Sequence, residues 1–291
     1  MVKDVARTVV PEAAWSRLAD ARWQASDWFE RTRTESDQLG LPAAATLAAT
    51  SFAHRAGRVE PERRSLYPLS VRGFRHPVYY REGTSDPDVI RQVFGQLQYA
   101  PVADGDLRTV LDLGANIGCA ASFFLHRCPL ARVVVVEPDA DNMRVCRKTL
   151  APFADRVTFA CAGVWPTRTR LVVDRGNFGD GREWSFQVRP ARPGEDADVR
   201  GLTVPDLLAL GRFDTVDLLK VDIEGTEQTL FGPGSDAWLA RTRTLAVELH
   251  GPGCERTVSN AVSRFPHAAT RAGELTIFRF AGRPRTAGET P

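Results

Sequence analysis

Val110-Leu-Asp-Leu-Gly-Ala-Asn-Ile-Gly118, followed by Val133-Val-Val-Val-Glu-Pro-Asp139, decides the reading of this chain. A short apolar run ends in a glycine-bearing turn, a helix-like segment follows, and a second apolar run ends in an acid. This is the layout of a nucleoside-binding β-α-β unit. Gly114 and Gly118 let the turn bend and let a ligand lie against backbone. Glu137 falls about 20 residues on, where a carboxylate can accept both hydroxyls of a ribose. The glycine spacing is G-x-x-x-G, not G-x-G-x-x-G, so the turn lacks the middle glycine that seats a pyrophosphate at the helix start. That favours S-adenosylmethionine, which has a ribose but no phosphate, over a nicotinamide or flavin cofactor.

Working outward, strand one spans about 108 to 113 and helix one about Ile117 to Cys128, stopping before Pro129. Strand two is Arg132 to Glu137, helix two Asp139 to Leu150, and strand three Arg156 to Ala162. Leu171-Val-Val-Asp and Trp184-Ser-Phe-Gln-Val-Arg alternate around a Gly-rich loop and read as an inserted β-hairpin. Thr203 caps a helix; strands at Thr215 to Ile223 and Thr244 to Leu249 follow, then a helix near 255 to 265. A closing antiparallel pair lies near 267 to 271 and 274 to 280. Strands alternating with helices imply an α/β, Rossmann-like, mainly parallel sheet with helices on both faces. Upstream, Leu69 to Arg81 reads as two short strands around a turn, and Asp86-Pro87 as the N-cap and first position of a helix.

Residues 1–66 read as an N-terminal helical extension, 67–281 as the main domain and 282–291 as a frayed tail. In the extension, Trp15, Leu18, Ala19, Trp23, Trp28 and Phe29 recur at roughly helical spacing. Their aromatic side is expected to pack on the main domain, with a homodimer contact or a lid over the substrate as alternatives. Hydrophobic residues make up 43% of the chain, enough for a sizeable core. A net charge of +2 with no basic tract points away from nucleic acid. Five scattered cysteines with no C-x-x-C spacing read as buried, reduced thiols of a cytoplasmic protein. No signal-like N-terminus and no run of about 18 apolar residues appears, so no membrane span is expected.

Arg81-x-Gly-Thr-Ser-Asp86, Leu111-Asp-Leu-Gly-Ala-Asn-Ile-Gly118, Val136-Glu-Pro-Asp139, Asp217-Leu-Leu-Lys-Val-Asp-Ile-Glu-Gly225 with Glu227, and Val247-Glu-Leu-His250 together resemble the FkbM family of S-adenosylmethionine-dependent methyltransferases. The glycine motif says only methyltransferase-like; Lys-Val-Asp-Ile-Glu-Gly-x-Glu is much more specific. The likeness covers about 67 to 280. It implies a seven-stranded class I methyltransferase fold and O-methylation of a hydroxyl on a sugar, polyketide or similar natural product. It leaves the acceptor unnamed. N-methylation, a macromolecular acceptor, or a non-catalytic cofactor-binding module remain alternatives.

Methyl transfer from a sulfonium is an in-line displacement in which positioning supplies much of the rate. An alcohol acceptor must also lose a proton, and a placed base helps. Lys220, Asp222 and Glu224 share one side of a strand end, as do Glu248 and His250 on the next strand. Asp222, Glu224 and His250 are therefore the candidate catalytic residues, beside the cofactor, with a purely structural ion-paired cluster as the alternative. His250 has the ordinary pKa suited to a base near neutrality. The same carboxylates and histidine could hold Mg²⁺ and lower the acceptor hydroxyl's pKa, but no tight ligand motif is present and no metal is expected. Cofactor contacts are expected from Arg81, Ser85, Asp112, Gly114, Asn116, Gly118, Glu137 and Trp165. Asp112 and Asn116 face the methionine end, or Asp112 buttresses the loop. Trp165 stacks on adenine or fills the core. Arg81 closes bidentately on the methionine carboxylate or belongs to a capped turn.

Overall fold

A computed structural model describes residues 34–55, 65–175, 182–183 and 185–282. The expected aromatic helix over 12–34 lies almost wholly outside the described residues, as do Trp184 and the tail beyond 282.

The main sheet has seven strands. In chain order they are β3 (Thr109–Leu113), β4 (Arg132–Glu137), β5 (Val157–Cys161), β10 (Val216–Val221), β11 (Thr242–Glu248), β12 (His267–Ala272) and β13 (Leu275–Phe280). Their spatial order is β12-β13-β11-β10-β3-β4-β5. β11, β10, β3, β4 and β5 are parallel, and β13 pairs antiparallel with β11 and β12. This is the expected seven-stranded class I methyltransferase sheet. From β3 the chain winds first toward β4 and β5, then returns to place β10 on β3's other side. The gap between β3 and β10 is thus a topological switch point, where open α/β sheets bind ligands at the strands' carboxyl ends.

Both faces of the central strands β3, β4 and β10 are buried, which is why they read as apolar runs, whereas the edge strand β12 is largely exposed. Val110, Val133, Val135 and Leu218 point into one core, with α3 (Cys119–Arg127) and α4 (Ala140–Leu150). Leu111, Leu113, Val134, Val136 and Leu219 point into the other, with α5 (Val204–Gly211) and α8 (Pro252–Val262). Ala43 and Leu47 of α1 (Leu41–Arg55) join the first core. So do Leu69 of β1 (Tyr67–Leu69) and Val78 and Tyr80 of β2 (Val78–Tyr80), which form the expected antiparallel pair. Asp139 caps α4 by accepting from the amides of Asp141 and Asn142, both at 3.0 Å. Thr203 caps α5 in a capping box with Asp206, as its sequence position predicts.

Two elements differ from expectation. The inserted hairpin, β7 (Thr169–Asp174) with β8 (Gln187–Pro190), belongs to a four-stranded sheet of order β6-β9-β7-β8. Its other members, β6 (Gly163–Val164) and β9 (Val199–Leu202), are too short and too polar to show a period of two. Asp86 is the first residue of α2 (Asp86–Ile90) rather than its cap, and Ser85 takes the cap position. The Asp86 carboxylate is engaged elsewhere, as described below.

Candidate active site

A cavity of about 550 Å³ opens at the carboxyl ends of β4, β3, β10 and β11. Gly114, Asn116, Glu137, Asp222, Glu224 and His250 all line it.

Glu137 ends β4 with its side chain buried. Oε2 accepts the Asn116 amide at 2.9 Å and Oε1 the Asp139 amide at 2.9 Å. Burial pushes its carboxyl up to about 7, countered only in part by these amides and Asn142. An ionised acid in so dry a place gains from further donors, and two ribose hydroxyls would supply them. Asn116 sits in the left-handed region (φ 49), and its buried Oδ1 has no hydrogen-bond partner in the protein. A buried acceptor left open at a cavity wall fits a donor group of a bound cofactor.

The glycines of the turn serve packing more than ligand space. A Cβ on Gly114 (φ +79) would lie 1.7 Å from the Asp222 carbonyl oxygen, because the loops after β3 and β10 cross there. A Cβ on Gly118 (φ +83) would meet Cys146 Sγ at 3.0 Å on α4. Gly114 lines the cavity, but its lack of a side chain is dictated by its neighbouring loop.

Beneath this turn lies Asp112, fully buried and outside the cavity lining. It pairs with its cross-strand neighbour Lys220, Nζ to Oδ1 3.1 Å. Lys220 also donates to the Gly114 carbonyl at 2.5 Å and stands 3.6 Å from Asp222. Asp112 thus stands where a buttress would, paired with Lys220 and off the cavity wall, the second of the two placements expected of it. Lys220 is the residue that ties the turn after β3 to the acids after β10.

Past β10 the chain leaves extended geometry, so a period of two no longer governs side-chain direction. Glu224 (φ 54) and Gly225 (φ 87) are left-handed, and Gln187 of β8 donates to the Glu224 carbonyl. The turn aims Glu224 at His250, which follows β11. His250 Nε2 lies 3.5 Å from Glu224, 3.8 Å from Glu248 and 4.0 Å from Asp222. Its Nδ1 lies 3.0 Å from Glu227. Burial and the Asp222 charge push the Glu224 carboxyl up to about 8. Glu248 is pushed up for the same reasons. Burial pulls the His250 imidazole down, but Glu227, Glu224 and Asp222 together outweigh it and raise it above 6.5. His250 is thus coupled to the acids around it, and the lone base expected from the sequence stands in a cluster able to share protons. Ligand atoms of Asp222, Glu224 and His250 lie within 4.8 Å of one another, close enough for a small cation. The sequence carries no spacing that signals this, since the residues meet only through the turn.

A model of the methyltransferase FkbM domain matches residues 112–268, more than half of the chain. The chain belongs to the FkbM methyltransferase family. It is an S-adenosylmethionine-dependent methyltransferase. The 2-O-methyltransferase NoeI of Sinorhizobium fredii is 25% identical over 182 residues, covering 58% of this chain and 71% of that protein. AMB antimetabolite synthetase AmbE of Pseudomonas aeruginosa is 27% identical over 175 residues, covering 48% of this chain but 8% of that protein. Among solved structures, the O-methyltransferase TomG of Streptomyces achromogenes, involved in tomaymycin synthesis and solved with S-adenosylmethionine, has a TM-score of 0.40. It is 13% identical over 81% of this chain and 89% of that one. An O-methyltransferase from Bacillus cereus has a TM-score of 0.38 at 12% identity, over 81% of this chain and 90% of that one.

Five residues expected at the cofactor of this FkbM-family enzyme do not line the cavity: Asp112 and Gly118, which serve the packing of the turn, and Arg81, Ser85 and Trp165. Arg81, 1% exposed, is spent on Asp86: Nε to Oδ2 2.8 Å and a terminal nitrogen to Oδ1 2.7 Å, with a second bond to Asn142 at 2.7 Å. It holds the turn before α2 and cannot also close on a cofactor carboxylate. Ser85 gives its amide and hydroxyl to Glu183, at 3.1 and 3.4 Å. Trp165 packs on Leu171, Val173 and Val188 in the small sheet, off the cavity. Phe186, Thr226, Tyr99, Gln92, Glu248 and Glu274 complete the wall instead. Glu248 was visible as a strand end; the others come from loops and helix faces with no motif of their own. The Arg81–Asp86 pair is buried on both sides. Asp86→Ala is expected to cost about 3–5 kcal/mol by leaving an uncompensated guanidinium. Urea unfolding measures this, and a loss under about 1 kcal/mol would mean the pair does not hold the turn.

Proposed function

We propose that this FkbM-family enzyme O-methylates a hydroxyl on a small, polyhydroxylated acceptor, a sugar or natural product. The observation that carries the reading is the convergence of Asp222, Glu224, Glu248 and His250 on one wall of the cavity, across β3 from Glu137. β4 and β10 are two strand spacings apart, about 10 Å, a span suited to an extended donor with its ribose at Glu137 and its sulfonium near β10. Glu137 accepts the ribose hydroxyls, and Asn116 Oδ1 accepts from the donor's amino group. S-adenosylmethionine supplies an activated methyl group. On the other wall the acids hold the acceptor hydroxyl. As the O–CH₃ bond forms, the S–CH₃ electron pair stays on sulfur and the hydroxyl proton passes to the Glu224–His250 cluster. The Gln92 and Glu274 side chains, joined at 2.6 Å, add polar groups suited to further hydroxyls. An amine acceptor is the second reading, because Glu248 and Glu274 on the wall would also hold an ammonium.

We read the reaction as independent of a metal. Lys220 already supplies positive charge to the acids, so a chelator is expected to leave turnover unchanged. Loss of turnover on chelation, restored by magnesium, would overturn this. The cysteines bear on compartment: all five are free, although Cys161 is exposed rather than buried as expected. We place the enzyme in the cytoplasm, where thiols stay reduced. No helix among the described residues is long and apolar enough to cross a membrane.

Cofactor affinity tests the Glu137 assignment through pH. Only the ionised carboxylate accepts two hydroxyls, and in the free protein it ionises at about 7. Affinity for S-adenosylhomocysteine is therefore expected to rise as pH increases through that value, with proton release on binding near neutrality. Calorimetry in buffers of different ionisation enthalpy reads the released proton. Affinity flat across this range would remove Glu137 from the ribose.

A further inference from the structure

We propose that Glu227 is a positioning residue: its buried carboxylate fixes the His250 ring with Nδ1 inward and Nε2 toward the cavity acids. The proposal rests on the reading of His250 as part of the acceptor wall. Glu227 opens the short helix α6 (Glu227–Leu230) and is fully buried. Oε1 accepts the Ile223 amide at 3.2 Å and faces His250 Nδ1 at 3.0 Å; Oε2 faces Cys254 Sγ at 3.4 Å. Three elements thus meet on one carboxylate: the turn after β10, the end of β11 and the start of α8.

The consequence is chemical. Oε1 already accepts from the Ile223 amide, so it meets the ring as an acceptor and the proton on that side sits on Nδ1. Which ring nitrogen carries the proton is set by the bond the other one makes. With Nδ1–H committed, Nε2 is the nitrogen that can exchange a proton with Glu224, Glu248 and Asp222. Those three and Glu227 face the ring, with Lys220 behind Asp222; Cys254 approaches from α8 by way of Glu227. Without Glu227 the ring could flip or take the other tautomer, and Nε2 would no longer be reserved for the cavity. A merely structural Glu227 would staple Ile223 and Cys254 and leave the ring indifferent.

Nitrogen-15 NMR of histidine-labelled full-length protein, saturated with S-adenosylhomocysteine and alkaline of the His250 titration, separates the two. The His250 signals are those absent from His250→Ala. In the wild type Nδ1 is expected to show the protonated shift and Nε2 the unprotonated one. In Glu227→Ala both are expected to move toward mixed values, while S-adenosylhomocysteine affinity stays within about twofold. Glu227→Gln, whose Oε1 still accepts from Nδ1, is expected to restore the wild-type pattern. If the alanine variant does not fold, Glu227→Met, of similar size and with no strong acceptor, carries the same comparison. His250 shifts unchanged in the folded acceptor-free variant, or Nε2 protonated in the wild type, would overturn the proposal. Failure of the wild type to bind S-adenosylhomocysteine would instead strike the proposed function itself.

Discussion

Replacing His250 or Glu224 with alanine is expected to lower turnover by about 10²- to 10⁴-fold, the range for a placed proton acceptor. Affinity for S-adenosylhomocysteine should stay within about twofold, since both residues stand across β3 from Glu137. The two side chains share one hydrogen-bonding cluster, so their losses should not multiply: the double variant should be little slower than the worse single one. The wild-type pH profile follows from the same geometry. The cluster accepts the hydroxyl proton only when deprotonated, and burial among carboxylates raises both Glu224 and His250. Turnover should therefore climb with pH around about 8, the Glu224 value, well above the 6.5 of an ordinary imidazole. A profile that levels off by pH 7, or alanine variants that lose cofactor and turnover in parallel, would remove the cluster from proton transfer.

Gly114→Val is expected to damage the fold and the site together. The Cβ would lie 1.7 Å from the Asp222 carbonyl oxygen, and this atom belongs to backbone that cannot rotate away. Forced overpacking costs about 1–3 kcal/mol, and a left-handed non-glycine residue about 1–2 kcal/mol more. Together they predict a loss of roughly 2–5 kcal/mol, seen as a lower midpoint in urea, with cofactor binding lost because the turn carrying Asn116 shifts. Even Gly114→Ala should show most of the effect, because the clash is made by Cβ itself. An alanine variant of wild-type stability that fails only to bind cofactor would mean that the ligand, not Asp222, fills that space.

The contrast between these two sites shows what the sequence made legible. Buried parallel strands announce themselves as apolar runs, so Thr109–Leu113, Arg132–Glu137 and the capped helices at Asp139 and Thr203 read directly. Glu137 was found because strand end and acid coincide. For Arg81 and Trp165 the sequence left two placements open, because a residue type suited to a ligand is equally suited to a buried partner, and only tertiary packing decides. Asp86, five residues on, took the guanidinium, and the small sheet took the indole. Glu224 and His250 do meet at the cavity, but not through the period that paired them. A strand period was carried past Val221 into a left-handed turn, and it is the turn, braced by Gln187, that brings them together. The raised imidazole could not be read from sequence, because it depends on how the turn after β10 folds Asp222, Glu224 and Glu227 around a ring that follows β11.

Calorimetric titration of the wild type and Glu137→Ala with S-adenosylhomocysteine tests most directly whether the cavity is the cofactor site of a methyltransferase. The wild type is expected to bind one equivalent. The variant loses charged acceptors worth about 1.5–3 kcal/mol per bond, so its affinity should fall by at least about 10-fold, and by about 150-fold at the upper figure. Equal affinity in the two proteins, or none in the wild type, would contradict it.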